Sequence, residues 1–236
     1  MKTRRPWCVP VLLGIILLWT GCGTTETSPA PGVSLMMPGE QPAAVPQKPD
    51  SQLAYFNAGF AHYEAGEYTE AVADFTRALA IRNKDTGSLF YRAKSYEYLK
   101  DYDGAIGDWT GLIRINPHDV EAYYNRGNAY FNKKDYDQAI ADFNQAIRIN
   151  PNYAEAYYNQ GIAYNNKGDY DRAIADFNQA IRINPNYAEA YNNRGFAYVN
   201  KKDYARARAD WTEALRLNPN YTIPQNNLEV LRQQGH

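Results

Sequence analysis

The chain has 236 residues, of which 44% are hydrophobic and 22% are charged, and its formal net charge at pH 7 is −1. Because the positive and negative charges are nearly equal in number, the chain lacks the basic excess that binding to nucleic-acid phosphates requires. The two cysteines, Cys8 and Cys22, both lie near the N-terminus. The rest of the chain must therefore be stable without disulfide bonds.

The first segment has the pattern of a secretory signal peptide. Lys2, Arg4 and Arg5 form a positively charged start, and residues 7–19 form an apolar core. That core is shorter than the roughly 20 apolar residues that a permanent membrane-spanning helix needs. We therefore predict a signal peptide over residues 1–21. The alternatives are an uncleaved anchor or an ordinary secreted protein with a chance cysteine.

This core ends in the sequence LWTGC, residues 18–22. The sequence resembles the lipobox of bacterial lipoproteins, in which small residues precede a cysteine that is lipidated and becomes the mature N-terminus. The resemblance implies that Cys22 is the lipidation site and that acyl chains attach the protein to a membrane of the bacterial cell envelope. Gly23 follows the cysteine, and the absence of an aspartate there implies the outer membrane, with the protein facing the periplasm.

Residues 22–51 are predicted to be this cysteine and a disordered tether. The segment is rich in Thr, Ser, Gly and Gln, and its prolines preclude a helix and would spoil a sheet. A flexible chain of this length typically reaches roughly 30 Å. The prolines are Pro29, Pro31, Pro38, Pro42, Pro46 and Pro49.

From residue 52 onward, a period of 34 residues organises the sequence. The stretch AIADFNQAIRINPNYAEAY occupies residues 139–157 and occurs again unchanged at residues 173–191. The dipeptide Asn-Pro recurs with the same period at Asn116-Pro117, Asn150-Pro151, Asn184-Pro185 and Asn218-Pro219. The period predicts five units, at residues 52–85, 86–119, 120–153, 154–187 and 188–221.

Each unit has the pattern of two helices. In the third unit, Tyr123, Gly127 and Tyr130 have the spacing of one helix face. Asp135 is a plausible N-cap for the next helix, whose apolar face includes Ala139, Ile140 and Phe143. Asn150 and Pro151 end that helix. One such helix pair cannot bury its own apolar face, so it needs neighbouring units.

The pattern Tyr123-x2-Arg126-Gly127-x2-Tyr130, followed by Ala139-x3-Phe143, resembles the tetratricopeptide repeat. The resemblance implies an all-α fold in which five antiparallel helix pairs stack into a right-handed superhelical solenoid. Residues 222–236 have the pattern of one further helix, opened by Pro224, which would cap the stack.

The sequence gives no indication of catalysis. His62, His118 and His236 are the only histidines, and they lie far apart in the predicted stack. No glycine-rich phosphate loop and no metal-ligand spacing occurs. We therefore expect no enzymatic activity, no cofactor and no metal.

Two charged columns follow the period. An aspartate precedes the large aromatic residue of each second helix, and an arginine or glutamine occurs 16 residues earlier in four units. We predict a ladder of partly buried pairs between the two helices of each unit; the alternative is that both columns are solvated. The predicted pairs are Arg92 with Asp108, Arg126 with Asp142, Gln160 with Asp176, and Arg194 with Asp210.

The resemblance implies that a partner binds the concave face, which the first helix of each unit forms. The candidate groove residues are Phe56, Phe60, Tyr63, Phe90, Lys94, Tyr124, Asn128, Phe131, Tyr158, Asn192 and Phe196. We expect aromatic anchors flanked by amides to bind an extended or helical peptide. Phe56, Phe60 and Phe90 make the N-terminal end the predicted contact surface, although the same side chains could serve helix packing alone.

The groove differs from that of co-chaperones in this family. Those proteins hold a C-terminal carboxylate with lysines and an arginine at fixed places. Here the corresponding places include Glu121, Glu155 and Glu189, so we expect no carboxylate clamp.

These features favour a membrane-anchored adaptor that binds a protein or peptide partner in the cell envelope. One alternative is a small-molecule-binding accessory lipoprotein of an envelope transporter. A second is a structural module that self-associates into a homo-oligomer.

Overall fold

The computed structural model describes residues 51–235, so the predicted signal peptide, Cys22 and nearly all of the tether lie outside the described residues. Within that range the chain forms eleven α-helices, joined by short turns, and no strands. The all-α fold predicted from the period is confirmed. The helices are α1 Ser51–Ala65, α2 Tyr68–Ile81, α3 Thr86–Tyr98, α4 Tyr102–Ile115, α5 Val120–Asn132, α6 Tyr136–Ile149, α7 Ala154–Asn166, α8 Tyr170–Ile183, α9 Ala188–Asn200, α10 Tyr204–Leu217 and α11 Thr222–Gln233.

Each predicted unit contains one antiparallel helix pair, beginning with α1 and α2, and each pair contacts the next. Six of the helices begin with an aspartate cap: Asp135, for example, accepts a hydrogen bond from the backbone N–H of Gln138, as predicted. The helix ends follow from the Asn-Pro dipeptide, since Asn150 has extended backbone angles and proline cannot continue the helix. The last helix, α11, begins at Thr222, two residues before Pro224.

The turn inside each unit uses a left-handed backbone conformation. Gly66 and Gly168 have φ angles of 79° and 78° at this turn, while Lys100, Lys134 and Lys202 have φ angles of 60°, 64° and 62° at the same place in their units. Non-glycine residues adopt such angles at a cost. The period therefore imposes one turn geometry even where the residue is unfavourable.

The two helices of a unit pack through a large ring over a small residue. Phe143 of α6 is fully buried, and its ring lies against the backbone of Gly127 in α5. A Cβ atom on Gly127 would be 2.7 Å from Cε1 of Phe143. The same relation joins Trp211 to Gly195. This close contact explains two columns of the period: the small-residue column of Gly59, Ala93, Gly127, Gly161 and Gly195, and the aromatic column of Phe75, Trp109, Phe143, Phe177 and Trp211.

Three of the four predicted pairs form, and each joins an arginine to an aspartate. Arg126 donates from Nε and Nη2 to the two carboxylate oxygens of Asp142, at 2.8 and 2.7 Å, and from Nη1 to Oγ1 of Thr110 in the preceding unit at 3.0 Å. Arg92 and Arg194 make equivalent contacts, to Asp108 and Asp210. Each arginine thus joins two helices of its own unit and the second helix of the unit before it.

The fourth predicted pair does not form. Gln160 is buried and donates its amide to the backbone oxygen of Ile140 at 3.2 Å. Oδ2 of Asp176 is buried and has no hydrogen-bond partner. The prediction failed because glutamine lacks the reach and the two parallel donors of a guanidinium.

Candidate binding groove

The first helices of the units form the inner row of the solenoid. Contacts between units occur directly between α1 and α3, between α5 and α7, and between α7 and α9, in addition to the contacts between consecutive helices. The predicted groove residues lie on these odd-numbered helices. The structure therefore places them along one continuous row.

At the N-terminal end, the aromatic residues pack mainly against one another. Phe56, Phe60 and Tyr63 are half-buried, and each lies close to Tyr91 of the next unit, with ring centroids 6.2, 4.9 and 5.3 Å apart. The ring of Phe90 lies 5.3 Å from that of Tyr91. These rings join the first two units, so their contact with a partner remains a prediction.

Lys94 is also engaged within the protein. Its Nζ lies 3.0 Å from Oε2 of Glu97 and 3.0 Å from Oδ1 of Asn125, and 5.3 Å from the ring centroid of Trp109. Trp109 in turn donates from its indole N–H to the other oxygen of Glu97 at 2.9 Å. Lys94 therefore helps to join α3 to α5.

A cleft of about 340 Å³ lies at the middle of the row. It brings together the predicted Asn128 and Phe131 with side chains of α3 and α7. Asn159 donates to Oδ1 of Asn128 at 2.8 Å and to the hydroxyl of Tyr124 at 2.9 Å. The lining residues are Glu97, Tyr102, Asn128, Phe131, Asn132, Asn159 and Ile162.

A second cleft, of about 650 Å³, continues the row toward the C-terminus and shares Ile162 with the first. It contains the predicted Asn192 and Phe196; the side chain of Phe196 is 50% exposed. The Oδ1 atoms of Asn165 and Asn192 are buried without a hydrogen-bond partner. The lining residues are Ile162, Asn165, Asn166, Tyr170, Asn192, Asn193, Phe196, Ile223 and Asn227.

Comparison with known proteins agrees with this architecture. Family models of the tetratricopeptide repeat, or TPR repeat, match residues 52–85, 93–134, 120–153, 143–175, 161–202 and 188–221. The chain belongs to the tetratricopeptide repeat (TPR) family. TPR repeats are typically non-catalytic modules for protein interaction, and solenoids bind partners along extended concave surfaces.

Solved TPR structures share the fold. The crystal structure of MamA protein is similar with a TM-score of 0.68 and 26% identity, over 73% of this chain and 94% of that chain. MamA from Desulfovibrio magneticus RS-1 has a TM-score of 0.68 and 22% identity, over 73% of this chain and 97% of that chain. YrrB, described as a TPR protein with an unusual peptide-binding site, has a TM-score of 0.65 and 20% identity, over 75% of this chain and 92% of that chain. No curated protein sequence matches the chain.

Tyrosines at the joints between the last three TPR units were missed by the sequence prediction. The ring of Tyr153 lies 4.9 Å from that of Tyr124, and the ring of Tyr187 lies 4.7 Å from that of Tyr158. Tyr153 and Tyr187 end their units, and both fall within copies of the motif NPNYAEAY. The recurrence of that motif at the ends of units could have indicated these tyrosines.

Burial dominates the electrostatics of these tyrosines. It raises the pKa of Tyr158 to about 12, with a further contribution from the neighbouring Tyr221 and Glu189. Burial, then Tyr124, Glu155 and Glu121 raise the pKa of Tyr153. These tyrosines stay neutral and serve as aromatic surfaces and hydrogen-bonding groups, not as acids or bases.

Residues 51–235 contain neither a candidate metal site nor a helix suited to span a membrane. No group of three or more His, Cys, Asp or Glu side chains between residues 51 and 235 is placed to hold a metal ion. No helix in this part of the chain is long and apolar enough to cross a membrane.

Proposed function

We propose that this TPR protein is a lipid-anchored scaffold of the bacterial cell envelope that binds a peptide segment of a partner protein in its inner groove. The observation that carries the binding role is the pair of adjoining clefts along α3 to α11. They combine exposed apolar side chains, such as Phe196, with many asparagine amides. Amides bond to the backbone of a bound chain, and apolar anchors contribute most of the binding energy.

The arrangement of the clefts favours a peptide over a small molecule. The two clefts adjoin at Ile162 and together follow four consecutive first helices, α3, α5, α7 and α9. A small-molecule pocket is one enclosed and mostly apolar cavity with a few polar groups. An elongated, amide-lined groove matches a chain with repeating backbone groups.

The proposed anchor rests on the sequence around Cys22. Labelling of growing cells with a palmitate analogue tests it. We expect incorporation into the wild-type chain and none into Cys22→Ser. Equal labelling of both would contradict the anchor but would leave the groove proposal untouched.

Cross-linking of the full-length protein in native membranes, followed by identification of the captured protein, tests the groove. We expect Phe131→Ala combined with Phe196→Ala to lose a partner that the wild type captures. The matched control is Ile81→Ala combined with Ile115→Ala, because Ile81 and Ile115 are exposed apolar residues outside the clefts. Loss in both double variants, or in neither, would contradict binding in the groove.

A further inference from the structure

Unpaired charge on the inner helices of the last three units is all negative. Helices α5, α7 and α9 contain five charged residues. Arg126 and Arg194 are bonded to aspartates of the ladder. The other three are Glu121, Glu155 and Glu189, which are exposed and form no ion pair with any residue between 51 and 235.

These carboxylates recur every 34 residues and lie beside the tyrosine pairs. Glu121 shares a recess of about 290 Å³ with Tyr124 and Tyr153. Burial, then Tyr158, Tyr124, Glu155 and Glu189 raise the pKa of Tyr187. The third unit thus presents a carboxylate next to two tyrosine rings, and the period places a glutamate at the same position of the next two units.

Lysines of the same units are at the opposite end of the inner helices. Lys133 and Lys167 follow α5 and α7, about 18 Å from the helix starts for helices of this length. They form ion pairs with Asp103 and Asp137 of the preceding units. The lysines therefore do not neutralise the glutamates.

Two buried amide oxygens of the C-terminal cleft have no hydrogen-bond donor among residues 51–235. Asn192 is only 6% exposed and lines the C-terminal cleft, yet its Oδ1 has no donor, and the same holds for Oδ1 of Asn165. A buried acceptor without a donor costs free energy. Backbone N–H groups of a bound chain are the donors that such a site fits.

The spacing of the carboxylates restricts the conformation of that chain. Helices α5, α7 and α9 contact one another in sequence, so their axes are roughly 10 Å apart. Three residues of a polyproline II helix advance about 9 Å and return to the same face. A β-strand returns to the same face every two residues, or roughly 7 Å, and does not match.

We infer that the groove binds a basic peptide segment in a polyproline II-like conformation, with Lys or Arg at every third residue facing Glu121, Glu155 and Glu189. A cationic side chain there gains both a carboxylate partner and the face of a tyrosine ring. The inference rests on the proposed peptide-binding function and specifies the chemistry of the partner. A second role for these glutamates is stabilisation of the helix N-termini, which a negative charge in the first turn provides.

Fluorescence anisotropy with the full-length protein and three labelled peptides tests the inference. The probes are nine-residue peptides, (Lys-Thr-Ala)₃ and its analogues with Gln or Glu in place of Lys. We expect the Lys peptide to bind roughly tenfold more tightly than the Gln peptide, with the Glu peptide weaker still. Raising the salt concentration should remove most of the difference.

The variant Glu121→Gln, Glu155→Gln, Glu189→Gln should bind the Lys peptide roughly tenfold more weakly and leave affinity for the Gln peptide unchanged. The matched control is Asp103→Asn, Asp137→Asn, Asp171→Asn. It also removes three exposed carboxylates that recur every 34 residues, but these lie outside the recess that contains Glu121. A thermal midpoint for each variant separates lost binding from a weaker helix terminus.

Equal binding of the Lys and Gln peptides would overturn the inference and leave the groove proposal standing. An equal loss of affinity for the Lys peptide in the glutamate and aspartate variants would also overturn it, because binding would then depend only on the net charge of the protein. If none of the peptides binds, the inference is wrong, while partner capture by the wild-type protein and the Phe131 and Phe196 variant still decides the proposed function.

Discussion

Gln160 does not bond to Asp176, although the arginines of three other units bond to the corresponding aspartates. The Gln160 amide donates to the carbonyl of Ile140, and Oδ2 of Asp176 is left buried without a donor. In the unit before, Arg126 holds both oxygens of Asp142. The fourth unit is thus the weak position of an otherwise regular ladder.

Gln160→Arg is expected to complete the ladder. The guanidinium would bond to both oxygens of Asp176, and Asn144 stands one period after Thr110, the third partner of Arg126. Two charge-assisted hydrogen bonds outweigh the cost of burying the new charge, so we expect a gain of about 1–2 kcal/mol in the free energy of unfolding. Urea unfolding at pH 7 measures the gain.

Arg126→Gln is the matched control for this substitution. It creates a second unpartnered aspartate at an otherwise identical place, and we expect a loss of about 3 kcal/mol. A gain in Arg126→Gln, or a loss in Gln160→Arg, would show that the ladder does not stabilise the stack.

The stability of the protein should depend on pH through Asp176. Burial raises the pKa of this carboxyl from 3.8 to about 7, and Arg172 only partly opposes the shift. Because the folded chain holds a proton that the unfolded chain releases, the contribution to stability is complete below about pH 4 and is lost as the pH rises to 7.

Urea unfolding at pH 5 and pH 8 checks this dependence. Relative to Asp176→Asn, the wild type should be more strongly destabilised by the change from pH 5 to pH 8. Gln160→Arg should also reduce the dependence, because a guanidinium stabilises the ionised carboxylate. Identical pH profiles for the wild type and Asp176→Asn would contradict the assignment.

The fold could be predicted because the period repeats the same physical requirements five times. A small residue at the place of Gly127 and a large ring at the place of Phe143 recur in all five units, and Asn150-Pro151 recurs in three others. Which individual aromatic rings contact each other could not be predicted in this way. The half-buried ring of Phe60 lies 4.9 Å from that of Tyr91, and only the side-chain geometry of two successive units determines that contact.

Partner binding in the groove stays a prediction, although several of the residues named for it line the two clefts. The concave row contains Asn128, Phe131, Asn192 and Phe196, as the resemblance implied. The amide of Asn159 and the tyrosines at unit ends were missed, because their roles depend on contacts between units.

The turn inside each unit offers a test of backbone strain. Lys134 has a φ angle of 64°, at the place where the next unit has Gly168 with a φ angle of 78°. Lys134→Gly should relieve the strain, and after the greater flexibility of glycine in the unfolded chain is subtracted, we expect a gain of about 0.5–1 kcal/mol. Thermal unfolding measures it; the reciprocal variant Gly168→Ala should lose stability, and a stabilised Gly168→Ala would contradict the argument.

Gly127→Ala tests the contact between the two helices of a unit. The added methyl group would lie 2.7 Å from Cε1 of Phe143, which is fully buried. We expect a loss of about 1–3 kcal/mol, because overpacking displaces the ring or separates α5 from α6. Gly107→Ala in α4 is the matched control: no atom lies within 4 Å of its added Cβ, so the higher helix propensity of alanine should give a gain of about 0.5–1 kcal/mol. If the two substitutions change the thermal midpoint in the same direction, the ring over the small residue does not set the spacing of the helices, and the small-residue column requires another explanation.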